Sequence, residues 1–478
     1  MLGAPAAQVI VGNNSSLALM HDVHVYALLR GVPGGTKPWS KEEEIAILCP
    51  VPGYDRHFAL SESFGIKLIP VPLTGEGPDM DEVERLAADP KVKAIWCVPQ
   101  YSNPSGETYS DAVVERLARM KTGAADFRIL WDNAYALHHL GETRPHLANI
   151  LEACAAAGHP DRPIVFASTS KVTIAGAGLA FIAASPANVR WYLDNASKRT
   201  IGPDKLNQLR HVRFLRDLDG IHAHMEKHRG LIAPKFAAVE EAFERRLASH
   251  GFARWTRPAG GYFIILDVME GTGSRVVALA KAAGLALTPA GSTHPYGKDP
   301  EDRTLRIAPT YPSLAEVKLA ADAVALCTLL AACEKRMAVP GLPSQCQQAR
   351  GGFHFAPAPG STLLRLFVLA PELGLIVFVD MGRGPGGLGL QIAFGHCQRQ
   401  NDRTGQRGYG METGQPEFII TGNSLGNGCQ RFRRLLLVLD AMRDDEPRAQ
   451  TVGRPGQHGI PGLVLATNQF LWLIHPIT

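Results

Sequence analysis

The stretch PIVFASTSK, residues 163–171, decides how the rest of this sequence is interpreted. An apolar run is followed there by small hydroxyl residues and then by Lys171. Short apolar runs that end in small polar residues are typical of buried strands that lead into a binding site. Burial lowers the pKa of a lysine and makes its amine nucleophilic, so Lys171 is a candidate catalytic group. A solvated loop lysine is the structural alternative, and this stretch alone favours that alternative.

Upstream of residue 163, apolar runs alternate with amphipathic segments. Predicted strands cover residues 8–11, 44–50, 64–71, 92–99 and 127–131, and predicted helices begin at Leu17 and cover residues 79–88 and 110–120. This alternation predicts an α/β fold with an open, mostly parallel sheet and helices on both faces. Ligands of such sheets bind at the carboxyl ends of the strands.

Chemically useful side chains follow several of these predicted strands, namely Tyr54, Asn103, Asp132, Tyr135 and Lys171. Each has a plainer interpretation: Asn103 precedes a proline and suits a turn, Asp132 could cap a helix, and Tyr54 could be a turn aromatic. Their shared placement at one edge of one sheet favours a site over a set of unrelated turns.

The segment GNNSS, residues 12–16, lies between the first strand and the helix that begins at Leu17. Exposed backbone N–H groups at a helix N-terminus form an anion site. A plain N-cap by Asn or Ser is the alternative.

A second unit is predicted over residues 230–336, after a large domain over residues 1–229. Its predicted strands cover residues 258–268, 285–289 and 304–308, and its predicted helices cover residues 275–283 and 314–333. These elements predict a small α+β domain. Arg306 lies within the last strand, where its planar guanidinium could grip a carboxylate ligand or form an internal ion pair.

The character of the chain changes after Arg336. No lysine follows Lys335, whereas glycine, proline, glutamine and arginine accumulate, and apolar runs such as residues 435–439 show no regular rhythm. Residues 337–478 are therefore predicted to be a tail of unknown or no defined fold. This segment could be an appended domain. We favour the other interpretation, that it is translated sequence which was never selected to fold. A protease is then expected to trim the chain near residue 336 without loss of the core.

Composition restricts the classes of function. The chain of 478 residues is 45% hydrophobic and 20% charged, with a formal net charge of +4, which is typical of a soluble globular protein and gives no reason to expect nucleic acid as a partner. Its 8 cysteines form no Cys-x-x-Cys pair, so neither a zinc site nor a disulfide framework is expected. The first residues lack a basic region followed by an apolar region, so no signal peptide is expected, and the most apolar window, residues 363–380, is too polar to be expected to span a membrane. These features predict a cytoplasmic protein without a membrane partner.

The order of these motifs resembles the class I, fold-type I pyridoxal-phosphate-dependent aminotransferases, and most of all a bacterial aspartate aminotransferase branch. The resemblance covers about residues 8–336. It implies a seven-stranded, mostly parallel sheet sandwiched by helices plus a small α+β domain, pyridoxal 5′-phosphate as cofactor, and a homodimer. The segments that carry it are GNNSS (12–16), PGYDRHF (52–58), NPSG (103–106), DNAY (132–135), STSK (168–171), KLNQLRH (205–211) and GGYF (260–263).

The resemblance also implies roles for individual residues. Lys171 would hold the cofactor as an imine and later move the proton of the substrate Cα, while Asp132 would pair with the pyridinium nitrogen. The remaining roles are hydrogen bonds to the phenolic oxygen from Tyr135 and Asn103, ring stacking by Tyr54, phosphate binding by Ser15, Ser16 and Ser168, and substrate binding by Arg306 and Asn103, with Arg306 on the α-carboxylate.

Two departures from the family pattern affect these expectations. The arginine that grips the phosphate a few residues beyond the lysine in many relatives is missing from GAGL, residues 176–179. The chain also starts close to the phosphate loop, so it is expected to be N-terminally truncated, which puts the substrate pocket and the dimer in question. The expected reaction is the transfer of the amino group of L-aspartate to 2-oxoglutarate.

Two alternatives stay open: an aminotransferase of broader or alanine-like specificity, and an inactive cofactor-binding or regulatory protein. Specificity for aspartate requires a second cation to bind its distal carboxylate, and the sequence offers only Lys198, Arg199 and Lys205, with no feature that selects one of them.

Overall fold

A seven-stranded sheet forms the centre of the computed structural model, which describes residues 2–337 and, beyond them, the backbone of residues 364–370, 375–384, 387–401, 407–412 and 418–420. The strand order is β1-β7-β6-β5-β4-β2-β3, and β7 alone runs antiparallel to its neighbours in this sheet. The predicted mostly parallel seven-stranded sheet is confirmed. Its strands are β1 (Val9–Val11), β2 (Ala46–Val51), β3 (Lys67–Pro72), β4 (Val92–Cys97), β5 (Arg128–Asp132), β6 (Pro163–Ser168) and β7 (Ala180–Ala184).

Helices cover both faces of this sheet, as the apolar runs of its strands require. Along β4, Ala94 and Trp96 belong to one apolar cluster, whereas Ile95 and Cys97 belong to another on the opposite face. Helices α1, α2 and α6 contribute to the first cluster and α3, α4 and α5 to the second. The helices of this part are α1 (Ser16–Arg30), α2 (Asp55–Ser63), α3 (Met80–Ala87), α4 (Asp111–Arg119), α5 (Ile150–Ala156), α6 (Pro186–Ala196) and α7 (Lys205–Leu215).

Sequence analysis missed α2 and α5. Both are short, and α2 buries only His57, Phe58 and Ser61, so its hydrophobic period is too weak to be recognised. The predicted strand at residues 285–289 is wrong, because that segment pairs with no strand among the residues that the structure describes. Leu285 and Leu287 instead pack against an apolar cluster without joining a ladder.

A three-stranded antiparallel sheet with the order β10-β9-β8 lies in the second unit and has its own apolar cluster. Helix α8 runs without a break across the predicted boundary at residues 229 and 230 and packs against α10. The domain limits themselves stay a prediction. The elements are α8 (Leu218–Leu247), β8 (Arg254–Trp255), β9 (Ile264–Asp267), α9 (Gly273–Ala282), β10 (Thr304–Ile307) and α10 (Leu314–Met337).

Antiparallel strands occur within residues 364–420, where the sequence showed no regular rhythm. They are β11 (Leu364–Ala370), β12 (Leu375–Gly384), β13 (Gly387–Asn401), β14 (Arg407–Glu412) and β15 (Phe418–Ile420). Pairing between segments, such as Gly384 with Gly387, defines them, and a search for motifs within one segment does not detect such pairing. The other residues of the predicted tail, including 435–439, lie outside the described residues. The absence of a defined fold for 337–478 as a whole stays a prediction.

No helix in the described part of the chain is both long and apolar enough to cross a lipid bilayer. The cysteines at positions 49, 97, 154, 327 and 333 are buried and carry free thiols. Burial raises the pKa of the Cys154 thiol to about 12, so it stays protonated and acts as a small apolar side chain in the core.

Candidate active site

The carboxyl ends of β6, β5, β4 and β2 lie side by side, because these strands are parallel neighbours in the sheet. The predicted residues Tyr54, Asn103, Asp132, Tyr135 and Lys171 follow or end these strands. Their side chains meet: Asn103 Nδ2 donates to Tyr135 Oη at 3.4 Å, and Lys171 Nζ lies 4.7 Å from the centroid of the Tyr135 ring. The fold therefore brings the predicted residues of this edge together.

Asp132 is held through one of its two carboxylate oxygens. His57 Nε2 donates to Asp132 Oδ2 at 3.0 Å, and the His57 ring stacks on Trp96 with centroids 4.0 Å apart and planes tilted by 7°. Asp132 is 3% exposed, and its Oδ1 has no hydrogen-bond partner among the described residues. A buried carboxylate oxygen without a donor is unfavourable, so this atom is available to a ligand that carries an N–H group.

The two tyrosine hydroxyls beside Asp132 stay protonated. Burial raises the pKa of Tyr54 to about 12, the positive charge of Lys171 opposes this rise, and the negative charge of Asp132 adds to it. Burial also raises the pKa of Tyr135, with a further contribution from the charge of Asp132. Both hydroxyls can therefore donate hydrogen bonds at neutral pH. The rings of Tyr54 and His57 lie nearly perpendicular, with centroids 4.9 Å apart and planes at 78°.

The backbone around Lys171 is anchored by side chains that sequence analysis did not single out. The Lys171 carbonyl accepts hydrogen bonds from Tyr262 Oη at 3.0 Å and from His138 Nε2 at 3.3 Å, and the Val172 carbonyl accepts one from His224 Nε2 at 2.6 Å. Burial lowers the pKa of His138 to about 3, so it is neutral at physiological pH. Tyr262 lies in the quoted GGYF segment, which was the available signal for it.

Helix α7 supports the same loop from another side. Asn207 Nδ2 donates to the carbonyls of Ala177 at 3.1 Å and Gly178 at 2.9 Å. His211 Nε2 lies 3.1 Å from Thr169 Oγ1 and 3.0 Å from Thr173 Oγ1. Asn207 and His211 belong to the quoted KLNQLRH segment, to which the sequence assigned no role. The contacts explain its position, because the segment holds the loop that presents Lys171.

The GNNSS loop at the start of α1 touches the loop that follows Lys171. Ser170 Oγ donates to the Asn14 carbonyl at 3.0 Å, and Asn14 Nδ2 donates to the Gly176 carbonyl at 2.7 Å. A Cβ at position 178 would lie 2.7 Å from Ser170 N, so glycine is required for this close approach.

The residues predicted to bind phosphate lie in or near these two loops. Ser15 caps α1 by accepting from Ala18 N at 3.3 Å, and Ser16 is the first residue of that helix. Ser168 is buried at the end of β6. Phosphate binding by these three serines stays a prediction.

Arg306 reaches this edge from β10. Its Nη1 donates to Asp55 Oδ1 at 2.9 Å and to Asn103 Oδ1 at 3.4 Å. The internal ion pair that the sequence left open is therefore present, and Arg306 also lies next to Asn103. The binding of a carboxylate ligand by Arg306 stays a prediction. Of the other cations considered, Lys198 donates to the Asp194 carbonyl and Arg199 pairs with Asp22.

Proteins of known identity resemble this chain in fold and in sequence. The sequence profile of a family described as aspartate amino-transferase matches residues 1–339. An aspartate aminotransferase of Corynebacterium glutamicum is 51% identical over 334 residues, which are 70% of this chain and 77% of that protein. The crystal structure of an aspartate transaminase from that species matches with a TM-score of 0.69 and 50% identity, covering 70% of this chain and 78% of the other.

A more distant solved structure shares the fold alone. An α-aminoadipate aminotransferase of Thermus thermophilus matches with a TM-score of 0.58 and 22% identity, covering 69% of this chain and 79% of the other. The family profile spans well over half of the chain, and the Corynebacterium protein is about half identical over nearly the same span. The chain therefore belongs to the aspartate aminotransferase family and is an enzyme that transfers amino groups.

Proposed function

We propose that this chain transfers the amino group of L-aspartate to 2-oxoglutarate, giving oxaloacetate and L-glutamate, with pyridoxal 5′-phosphate as its cofactor. The state of Asp132 carries the proposal. His57 holds one carboxylate oxygen at 3.0 Å, and the other oxygen is buried without a partner among the described residues. The protonated ring nitrogen of the cofactor is a cationic N–H donor of the kind that this oxygen requires.

The other side chains at this edge also suit the cofactor. Tyr135 and Asn103 would donate hydrogen bonds to its phenolic oxygen, and Tyr54 offers an aromatic face to its ring. Ser15, Ser16 and Ser168 would bind the phosphate with the N-terminus of α1. When bound, pyridoxal 5′-phosphate supplies an aldehyde that captures amines and a cationic ring that accepts electrons from the substrate Cα.

Each residue would have a defined physical role. Lys171 Nζ would be the nucleophile that holds the cofactor, and the same atom, once free, would be the base that removes the proton of the substrate Cα and the acid that returns it. Arg306 binds the substrate α-carboxylate and so determines which Cα bond faces Lys171. Asp132 would favour the protonated ring nitrogen, because its unpartnered Oδ1 can accept a hydrogen bond from that N–H group.

The specificity for aspartate rests on the similarity to the Corynebacterium aspartate aminotransferase. Arg306 contacts Asn103, the other residue that is predicted to bind substrate. A chain with a single carboxylate clamp would accept substrates of broader or alanine-like type, and this is the second candidate function.

The proposal is tested with purified chain loaded with pyridoxal 5′-phosphate. We expect oxaloacetate to form from aspartate and 2-oxoglutarate, and an absorbance band at about 360–430 nm to shift when aspartate is added. Faster formation of pyruvate from alanine would favour the second candidate. A chain that binds the cofactor yet transfers no amino group from either substrate would contradict both and indicate an inactive cofactor-binding protein.

We further propose that the enzyme is a homodimer in which α7 lies at the interface. The outer side of α7 exposes apolar side chains: Leu206 is 76%, Leu209 45% and Val212 62% exposed. Contiguous exposed apolar surface on a folded protein is typical of an interface. The inner side of the same helix holds the Lys171 loop through Asn207 and His211.

Replacing both Leu206 and Leu209 by aspartate is expected to convert the dimer into a monomer, since the introduced charges would have to be buried in an apolar contact. Light scattering of the full-length chain measures this as a halved mass. Leu319→Asp is the matched control, because Leu319 is 74% exposed on α10, away from α7. A double variant that keeps the wild-type mass, or a wild type that is already monomeric, would contradict the interface.

A further inference from the structure

Asp55 is the one acidic residue of the quoted PGYDRHF segment, and the proposed reaction gives it no role. It is the first residue of α2 and follows Tyr54, which lies at the proposed ring position. Its partner is Arg306, which is 251 residues away in the sequence. The pair joins α2, beside the seven-stranded sheet, to β10 of the three-stranded sheet.

The guanidinium of Arg306 is oriented by several groups at once. Nη1 donates to Asp55 Oδ1 at 2.9 Å and to Asn103 Oδ1 at 3.4 Å, and Nε donates to Thr288 Oγ1 at 3.4 Å. Cζ lies 5.3 Å from the centroid of the Phe263 ring. The Arg306 side chain is 11% exposed and that of Asp55 is 33% exposed. The guanidinium of Arg306 is therefore held by neighbouring side chains, and one of them is a carboxylate.

A substrate carboxylate and the Asp55 carboxylate are the same chemical group and compete for the same donors. Nη1, which a substrate would use in an end-on bidentate contact, already bonds Asp55. A second carboxylate that approaches Arg306 would also meet the negative charge of Asp55 in a site with limited solvent, where like charges repel more strongly than in water. The free energy of substrate binding thus depends on how much stronger the contact of Arg306 with the substrate carboxylate is than its contact with Asp55.

We propose that Asp55 is a resident counter-ion of Arg306 that the substrate carboxylate displaces, so that Asp55 lowers the affinity of the enzyme for carboxylate ligands. This inference rests on the proposed function, in which Arg306 is the carboxylate clamp. Asp55 acts through Arg306 and is a positioning residue. The partial exposure of Asp55 gives the displaced carboxylate access to water, which keeps the cost of displacement small.

The test compares wild type with Asp55→Asn in the cofactor-loaded, full-length enzyme. Asparagine keeps one side-chain oxygen that can accept from Arg306, removes the negative charge and replaces the second oxygen by an NH2 group. The probe is maleate, a dicarboxylate without an amino group, measured by calorimetry and by inhibition. We expect Asp55→Asn to bind maleate about 5-fold more tightly, which is about 1 kcal/mol at 1.4 kcal/mol per factor of ten. The KM for aspartate should fall by a similar factor while kcat stays near the wild-type value.

Glu62→Gln is the matched control, since it removes one negative charge from an exposed position of the same helix. It is expected to leave maleate affinity unchanged, which separates the contact with Arg306 from a general change in charge. Asp55→Ser is a second uncharged variant, so that poor folding of one variant does not remove the test. Thermal unfolding with and without maleate adds a readout independent of turnover, and the maleate-induced rise in Tm should be larger without the Asp55 charge.

The outcomes separate this inference from the proposed function. Maleate binding that disappears in Arg306→Ala supports Arg306 as the carboxylate clamp. If that holds and Asp55→Asn binds maleate no more tightly than wild type, the counter-ion role is overturned while the proposed function stands. If wild type neither transfers the amino group of aspartate nor binds maleate, the proposed function is wrong and the inference falls with it.

Discussion

Replacing Lys171 by alanine is expected to lower the rate of amino transfer by about 10²–10⁴-fold, because a positioned general acid or base contributes a factor of this size. The loss of the nucleophile adds to this effect. The variant should still fold, because the contacts that anchor this position involve the Lys171 carbonyl, which accepts from Tyr262 and His138. The measurement is the rate of oxaloacetate formation at saturating aspartate, with thermal unfolding as a check on folding.

A chemical readout accompanies the rate. Borohydride reduction of the wild type loaded with pyridoxal 5′-phosphate should fix the cofactor on the peptide that contains Lys171, and the alanine variant should yield that peptide unmodified. Lys121→Ala is the control, since Lys121 is exposed and lies outside the site. An unlabelled Lys171 peptide from folded, cofactor-saturated wild type would refute the assignment of the nucleophile. So would a variant that still turned over aspartate.

Replacing Asp132 by asparagine is expected to lower the rate by about 10²–10⁴-fold, since loss of one charge from a buried ion pair costs about 3–5 kcal/mol and each 1.36 kcal/mol is a factor of ten. Asparagine preserves the size of the side chain and can still accept from His57 Nε2. The substitution therefore removes the charge that holds the ring nitrogen of the cofactor protonated. The assay again measures oxaloacetate formation, and titration with pyridoxal 5′-phosphate measures cofactor affinity.

The spectrum of the bound cofactor separates an electronic role of Asp132 from a purely structural one. We expect the pH dependence of its absorbance to change in Asp132→Asn and to stay as in wild type in Asp81→Asn, which removes a carboxylate that is 88% exposed on α3. His57→Phe should show a weaker form of the Asp132 phenotype, because the carboxylate keeps its charge but loses the donor at 3.0 Å. Near-wild-type turnover in Asp132→Asn would contradict the proposed role.

Much of the fold could be predicted because local patterns and global architecture agree in this chain. The runs that became β4, β5 and β6 are buried on both faces, and continuous apolar runs are typical of parallel strands in that position. The failures were local. Helix α2 has too weak a hydrophobic period, and residues 285–289 resemble a strand but have no strand to pair with.

The sequence predicts only those site residues that follow the carboxyl ends of parallel strands. Residues after neighbouring parallel strands must share an edge, and this places Asn103, Asp132 and Lys171 together. Their supporting side chains follow no such rule. His138, His211 and His224 come from a loop and from two helices, and nothing in their local sequence indicates that they contact the Lys171 loop.

The sequence by itself determined the alternation of strands and helices, the edge of the sheet where the site lies, and the family, because these depend on local periodicity and on the order of motifs along the chain. Only the tertiary structure decided two contacts between residues that are far apart in the sequence. His57 bonds Asp132, which is 75 residues away, and Arg306 bonds Asp55, which is 251 residues away. Such pairs depend on how helices pack on the sheet and how the two sheets meet. Their free energy comes from burial and hydrogen-bond geometry, which no spacing in the sequence encodes.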